Sequence, residues 1–202
     1  MATSATPEQR EQALIETKAH IRRVHQLLHQ VARDLAARGL AHDASKLEDP
    51  ELDGFAQLAG LRDLVYGSDE YKQKFKEGPG PATIAHHYAE NDHHPEFFPD
   101  GLWGMNLMQV TEMLCDWKAA SERHNNQPFA KSFPINRKRF GIEDQLFAVL
   151  ANTALALGFI SSEELPIAWG SGTLPEVEPI VSEPPSVDQQ PPPAGATMDG
   201  PD

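Results

Sequence analysis

The chain has 202 residues, 40% of them hydrophobic, which fits one domain of ordinary size. Its net charge of −13 argues against a nucleic-acid polymer as the main partner, because phosphate binding needs clustered Lys and Arg. The single cysteine, Cys115, excludes an internal disulfide and a multi-cysteine zinc site. Because no signal-like segment or run of about 18 apolar residues is present, we expect a soluble, cytoplasmic protein without a membrane partner.

The first helix is predicted from a capping pattern and a regular apolar period. Thr6 is a good N-cap, Pro7 suits the first turn, and Gln9 stands three residues after the cap. From Ile21 to Leu35 apolar residues recur in steps of three and four, which is the period of a helix with one buried face. Gly39 favours the end of this helix.

Four further helices are predicted downstream from apolar periodicity and from proline positions. They cover about Pro50–Val65, Pro81–Pro95, Leu107–Arg123 and Glu143–Leu157. No segment shows the sustained two-residue alternation of a strand, so the predicted fold is all-α, with one folded domain at residues 1–170. Residues 171–202 contain eight prolines, six acids and no Lys or Arg, a composition that predicts a disordered, acidic, Pro-rich tail.

The segment HHYAENDHH at residues 86–94 holds four of the nine histidines. If the predicted helix continues to Pro95, His87, Asn91 and His94 share one face, with His86 and His93 in a neighbouring line. Two such imidazoles can converge on a metal ion. The alternative is a hydrated polar helix end with surface histidines.

The segment HDASK at residues 42–46 is the second candidate piece of a metal site. Adjacent His42 and Asp43 can reach one ion only where the chain bends, and Gly39 just upstream favours such a corner. The alternatives are that Asp43 is an N-cap and that Lys46 is a solvated surface charge.

Two more candidates lie on predicted helices. His20 belongs to the apolar stripe of the first helix, where it is either a ligand or a hydrogen-bonded core residue. Asp116 lies between Leu114 and Trp117, and a carboxylate in such an apolar stretch needs a partner because unpaired burial is costly. Lys118 faces away from it at i+2, so a metal ion or a distant basic residue is required.

Taken in order, these pieces resemble the HD-domain superfamily, helical proteins in which a His-Asp doublet chelates a divalent metal. More narrowly, the chain is similar to a family of uncharacterised HD-like proteins common in bacteriophages and bacteria. The resemblance covers about residues 14–160 and rests on five segments: HIRRV (20–24), HDASK (42–46), HHYAENDHHPE (86–96), EMLCDWKAA (112–120) and NRKRFGIEDQLFAVLANTALALG (136–158). The glycine-tyrosine-proline signature of cyclic-dinucleotide phosphodiesterases is absent, which argues against that substrate.

The resemblance implies an HD-like helical bundle and a set of metal ligands. The basic site comprises His20, His42, Asp43 and Asp116. A second ion is implied at His87 together with one or both of His93 and His94. The host cytoplasm is the expected location if the chain is phage-encoded.

Mixed imidazole and carboxylate donors suit one or two divalent ions of Mn, Fe, Ni, Co or Zn. Such an ion lowers the pKa of bound water to near ~7 and polarises a phosphoryl oxygen. Beside Asp43, Lys46 is then placed to meet a phosphate oxygen, and Asn91 to hold a water or a substrate oxygen. Lys131 and Arg139, in a locally basic segment, either bind substrate phosphate or are ordinary surface charges.

The sequence therefore predicts a metal-dependent phosphohydrolase that acts on a small phosphorylated metabolite, with a nucleotide as the first choice. A di-iron oxygenase of HD type is the alternative enzyme, because ligand spacing does not separate the two. The non-catalytic alternative is an interaction module in which the metal has a structural role.

Overall fold

The computed structural model describes residues 4–61, 68–123 and 128–169, and within these ranges the chain contains helices and turns but no β-strand. This confirms the all-α prediction. The α-helices of the described part are α1 (Pro7–Ala41), α2 (Glu51–Ala59), α3 (Asp69–Glu77), α4 (Gly80–Glu90), α5 (Leu107–Arg123), α6 (Ser132–Phe140), α7 (Asp144–Ala156) and α8 (Leu165–Trp169). The predicted tail at 171–202 lies outside the described residues. None of the helices described is both long and apolar enough to cross a membrane.

Helix α1 starts as predicted and then extends along the molecule for about 52 Å. The Thr6 hydroxyl accepts from the Gln9 amide, and the Gln9 side chain accepts from the Thr6 amide, completing a capping box. The helix passes Gly39 and ends at Ala41. Every residue from Pro7 to Asp34 is exposed, so the predicted buried stripe is not covered by the rest of the described chain.

The hydrophobic core lies between α5, α6, α7 and α8. Phe133 contacts Phe129 and Phe147 edge to face, with ring centroids 5.1 and 6.0 Å apart. Burying each such ring contributes about 1.5–3 kcal/mol. Helix α5 inserts Met113 and Leu114 into this core, so its other face is held at a fixed position.

Helices α2 and α4 pack closely, which sets the other side of the candidate site. A Cβ at Gly54 would lie 2.1 Å from the Thr83 hydroxyl oxygen, so only glycine permits this approach. The same approach brings the first turn of α2 against the last turn of α4.

Helix α5 has the predicted bounds, and α7 agrees to within one residue at each end. Helix α4 differs, because it ends at Glu90 and not at Pro95. Residues 62–65 of the predicted second helix lie outside the described residues. Helices α3, α6 and α8 were not predicted, since they are short and carry weak apolar periods.

Candidate metal centre

The His42–Asp43 corner forms where α1 ends. His42 is the C-cap of α1, and Asp43 follows in the left-handed region with φ 56°, a conformation that Asp tolerates better than most residues. A 3₁₀ turn, Ala44–Leu47, begins directly afterwards. The bend brings the His42 Nε2 to 3.5 Å from the Asp43 Oδ2. Asp43 precedes that turn but makes no side-chain capping bond, so its carboxylate is available to the cluster.

The histidines of the second segment converge through a turn and not along a helix face. After α4 ends at Glu90, the chain folds back, and the His94 amide donates to the Asn91 carbonyl at 3.1 Å. His87 on α4 then meets His94, with 2.8 Å between their Nε2 atoms, and the rings of His93 and His94 lie 4.2 Å apart. The predicted helical alignment of these residues is therefore wrong, because α4 ends at Glu90 and a hydrogen-bonded turn from Asn91 to His94 replaces the predicted end of the helix.

Helix α5 supplies two carboxylates one turn apart. The Asp116 Oδ1 lies 3.6 Å from the His42 Nε2. The Glu112 Oε1 lies 2.8 Å from the His42 Nδ1 and 3.3 Å from the His93 Nδ1. Glu112 therefore orients both rings so that their Nε2 atoms face Asp43, the arrangement by which outer carboxylates commonly direct metal-binding imidazoles.

Three overlapping groups of side chains could hold a metal ion, and within each group the donor atoms lie within 4.8 Å of one another. The groups are Asp43, His87, His93 and His94; His42, His93 and Glu112; and His42, Asp43 and Asp116. Six of the seven predicted ligands thus lie in one cluster, which we call the His/Asp cluster.

Two atoms show that the cluster fits a cation. The Asp43 Oδ1 and the His93 Nε2 are buried and have no hydrogen-bond partner among the described residues. A buried polar atom without a partner costs about 1–3 kcal/mol, and a positive ion between them would satisfy both. Imidazole nitrogens with carboxylate oxygens are a donor set for borderline transition ions. The residues present therefore suit a divalent transition metal.

Glu51, the first residue of α2, is a functional candidate that sequence reasoning missed. Its side chain is fully buried, and its two oxygens each lie 2.9 Å from an imidazole Nδ1, of His86 and of His87. An ionised carboxylate accepts hydrogen bonds and does not donate them, so both Nδ1 atoms carry protons. The Nε2 of His87 is then unprotonated, and its lone pair points toward the cluster. Nothing in the sequence distinguished Glu51 from an ordinary acid in a first helical turn.

A network of ion pairs and hydrogen bonds holds the second carboxylate oxygen of Glu112, the one that does not face the histidines. The Arg38 Nε donates to the Glu112 Oε2 at 2.7 Å, and the Arg38 guanidinium also pairs with Asp92. The Gln109 side chain donates to the Asp92 Oδ2 at 2.6 Å. Burial is the largest single influence on the pKa of Asp92 and raises it, but the hydrogen bonds from Arg38 and Gln109 together with the nearby positive charges outweigh burial and lower the pKa of that carboxyl. Glu112 is therefore fixed as a hydrogen-bond acceptor for the cluster.

His20 does not belong to the cluster. It is exposed on α1, and it precedes His42 by 22 residues of one continuous helix, which is about 33 Å. One ion therefore cannot bind both residues of the same chain. The apolar period placed His20 on a buried helical stripe, which is wrong because no other described segment covers this part of α1.

The other predicted residues lie at different distances from the cluster. Lys46 is inside it, with its Nζ 2.6 Å from the Asp43 Oδ2. Asn91 is buried, and its amide nitrogen donates to the Ser45 hydroxyl and to the His87 carbonyl, each at 2.8 Å, so it ties α4 to the turn after α1.

Of the two residues predicted to bind phosphate, Arg139 reaches the rim of the cluster. It donates to the Tyr88 hydroxyl at 2.8 Å and pairs with Glu96, while the Tyr88 ring lies 4.8 Å from that of His94. Lys131 is exposed on a 3₁₀ turn that packs against α5, α6 and α8.

The histidines of the cluster differ in charge when no metal is bound. The hydrogen bond to Asp116, with support from Glu112 and Asp43, raises the pKa of His42 to about 9. Burial, together with neighbouring histidines, lowers the pKa of His93 and of His94 to about 4. At neutral pH His42 is therefore an imidazolium that adds a positive charge beside these carboxylates, while His93 and His94 are neutral.

We expect metal affinity to rise with pH because a proton on His42 competes with the ion. A ligating imidazole must be neutral, so binding at His42 releases one proton below about pH 9. Between about pH 7 and pH 8 the apparent affinity should increase about tenfold, and the increase should level off above pH 9. Calorimetric titration with Mn²⁺ in buffers of different ionisation enthalpy measures both the affinity and the proton. Equal affinity at both pH values, without proton release, would contradict this assignment.

Together the fold and the site define a class, an all-α protein with a buried His, Asp and Glu cluster that could hold a metal ion. A family model described as "Family of unknown function (DUF5662)" matches residues 9–156, and the chain belongs to that family. The comparisons with curated proteins and with solved structures gave no match. The geometry of the cluster is therefore the basis for a functional proposal.

Proposed function

We propose that this protein is a two-metal phosphohydrolase that acts on a small phosphorylated metabolite, with a nucleotide as the first candidate. The observation that carries the proposal is the position of Asp43, which belongs to two of the three donor groups. Its Oδ1 lies 3.4 Å from the His87 Nε2 and 3.6 Å from the His93 Nε2, whereas its Oδ2 faces His42. A carboxylate with one oxygen toward each group is suited to bridge two ions.

The two groups divide the remaining donors. Asp43 joins His42 and Asp116 on one side, and it joins His87, His93 and His94 on the other. Two divalent ions about 3.5–4 Å apart clamp the attacking and leaving oxygens of a phosphoryl transfer when they are bound. The resemblance of the sequence to HD-domain proteins, a mainly hydrolytic superfamily, supports the same reaction class.

The chain itself offers positive charge and access for an anionic substrate. The Lys46 ammonium contacts the Asp43 carboxylate, lies 5.1 Å from the centre of the Phe55 ring, and is 30% exposed, so it can also meet a phosphate oxygen. A cleft of about 190 Å³ leads to the cluster from solvent. It is lined by Arg38, Ala41, His42, Glu90, Asn91, Asp92, His93 and Glu112. Arg139 adds a second cation at the Tyr88 rim.

A di-iron oxygenase is the second candidate, because four imidazoles and three carboxylates are also a donor set that iron uses. The two enzymes are separated by metal analysis and by an optical spectrum of the purified full chain, since only an oxygenase depends on redox-active iron. A screen of nucleoside mono- and triphosphates with Mn²⁺, Ni²⁺ or Co²⁺ tests the hydrolase. Inactivity across this panel with one tightly held ion would favour the oxygenase or a non-catalytic, structural metal site.

Replacing Lys46 with glutamine should lower kcat about 10²-fold or more on the best substrate of that panel, the loss typical when one charge-stabilising donor is removed. The metal content should stay unchanged, because Lys46 pairs with Asp43 without being a ligand. Steady-state kinetics with metal analysis of the same sample measure both effects. Lys72→Gln, at an exposed lysine of α3, is the matched control and should retain wild-type kinetics. Unchanged kcat in Lys46→Gln would remove this residue from the proposed mechanism.

A further inference from the structure

The outward face of α1 is a regular apolar stripe without a partner in the described chain. Leu14, Thr17, Ile21, Val24, Leu28, Val31 and Leu35 follow one another in alternating steps of three and four residues. Three heptads of this kind are the pattern of a helix that packs against another helix in a left-handed coiled coil. Of these residues only Leu35 is partly covered, at the end where α1 packs on α5. The stripe is therefore an unused helix-packing surface.

The stripe leaves much of its apolar surface exposed. Ile21 is 60% exposed and Leu28 62%, and Leu27 extends the stripe on one flank. Together the exposed apolar side chains on this face of α1 present roughly 500 Å² per chain, within the range of the largest apolar patches on monomer surfaces, which are often functional. A standard interface buries about 800 Å² per partner, so the stripe supplies more than half of that area.

One edge of the stripe borders an open cleft beside α5. The cleft has a volume of about 600 Å³, and Leu27 and Val31 line its side next to the stripe. The docking surface is therefore the stripe itself, with these two residues at its edge.

The distribution of charge along α1 favours a second copy of this chain as the partner, in an antiparallel orientation. Residues 7–20 carry three acids and two basic residues, whereas residues 21–41 carry four arginines and one aspartate. An antiparallel copy places the acidic end of each helix over the basic end of the other. A parallel copy would set the four arginines of residues 21–41 beside those of its partner, and these repel each other. The helix is thus complementary to itself in one orientation.

We propose that two copies of this chain pair through antiparallel α1 helices. The surface that pairs is the stripe from Leu14 to Val31, with Leu27 at its edge. This inference does not depend on the proposed function, because the stripe lies outside the His/Asp cluster. A chain without metal should pair in the same way.

The mass of the full chain in solution tests the pairing. Light scattering coupled to size-exclusion chromatography should give twice the chain mass of 22.3 kDa at tens of micromolar protein. The double variant Ile21→Glu with Leu28→Glu should give a monomer, because four carboxylates would face each other across the pair. Ala19→Glu with Gln26→Glu adds the same charges on the opposite side of α1 and should remain a dimer. Circular dichroism and metal content should match wild type in both variants, since all four positions are exposed.

Distances between spin labels test the orientation without changing the stripe. Cysteine is introduced at Gln12 or at Gln26 in a Cys115→Ser background, and each single-label protein is measured by pulsed EPR. Antiparallel helices that pair through the stripe from Leu14 to Val31 put labels at position 12 about 20 Å further apart along the helix axis than labels at position 26. Parallel helices would give equal distances at both positions and would overturn the proposed orientation. A monomeric wild type, or a dimer that survives Ile21→Glu with Leu28→Glu, would overturn the interface itself.

Discussion

If the proposed two-metal centre is correct, Asp43→Asn is expected to remove both metal ions and to lower phosphohydrolase activity by at least about 10³-fold, since in that mechanism the metals provide the nucleophile and the charge stabilisation. Asparagine has the same shape and also tolerates the left-handed φ of 56° at this position, so the corner after α1 should keep its conformation. The variant loses the negative charge that both donor groups share. Metal content by mass spectrometry and turnover on the best substrate measure the two losses.

The control for this prediction is Asp100→Asn, at an exposed acid that should leave metal content and turnover at wild-type values. His94→Ala tests the division into two groups, because His42, Asp43 and Asp116 remain intact in it. It should retain one ion per chain where the proposed centre of the wild type would hold two. Full metal content with full activity in Asp43→Asn would refute the proposed centre.

Glu51→Gln is expected to weaken both the fold and the metal site. Glutamine fills the same volume, but its amide group cannot accept from both His86 and His87. One buried imidazole N–H then loses its acceptor, which costs about 1–3 kcal/mol. At 2–4 °C per kcal/mol for a chain of this size, Tm of the metal-free protein should fall by about 2–12 °C. Scanning calorimetry of the metal-free protein checks this effect.

The same variant should bind metal about 10–100-fold more weakly, because the His87 ring loses the partner that fixes its orientation. Calorimetric titration separates this loss from the stability change. The surface variant Glu77→Gln, at the exposed end of α3, should alter neither quantity. Wild-type Tm and wild-type metal affinity in Glu51→Gln would show that Glu51 does not orient the histidines.

Several features of this protein follow from local sequence alone. The capping box at Thr6 and Gln9, the bounds of α5 and the absence of strand periodicity depend on residues close together in the chain. The clustering of imidazole and carboxylate in HDASK and HHYAENDHH is also local. It identified five of the residues that the structure brings together, because a densely packed set of such groups needs a shared partner, and Asp116 was identified separately from its apolar surroundings on α5.

Other features depend on contacts between distant segments and were decided only by the tertiary structure. Helix α4 ends at Glu90, and the chain then reverses direction so that His93 and His94 lie close to His87. Glu51 acquires its role from the close packing of α2 on α4, which a single first-turn acid does not reveal.

Helix α1 shows both kinds of feature, those set by local sequence and those set by tertiary contacts. By itself the sequence determined that α1 is a helix with an apolar stripe and that His20 lies near it. Only the tertiary structure decided that this stripe is exposed and that His20 is remote from the His42–Asp43 corner. The physical reason is that a period of 3.6 residues sets which side chains share a face, whereas burial depends on which other segment packs against that face.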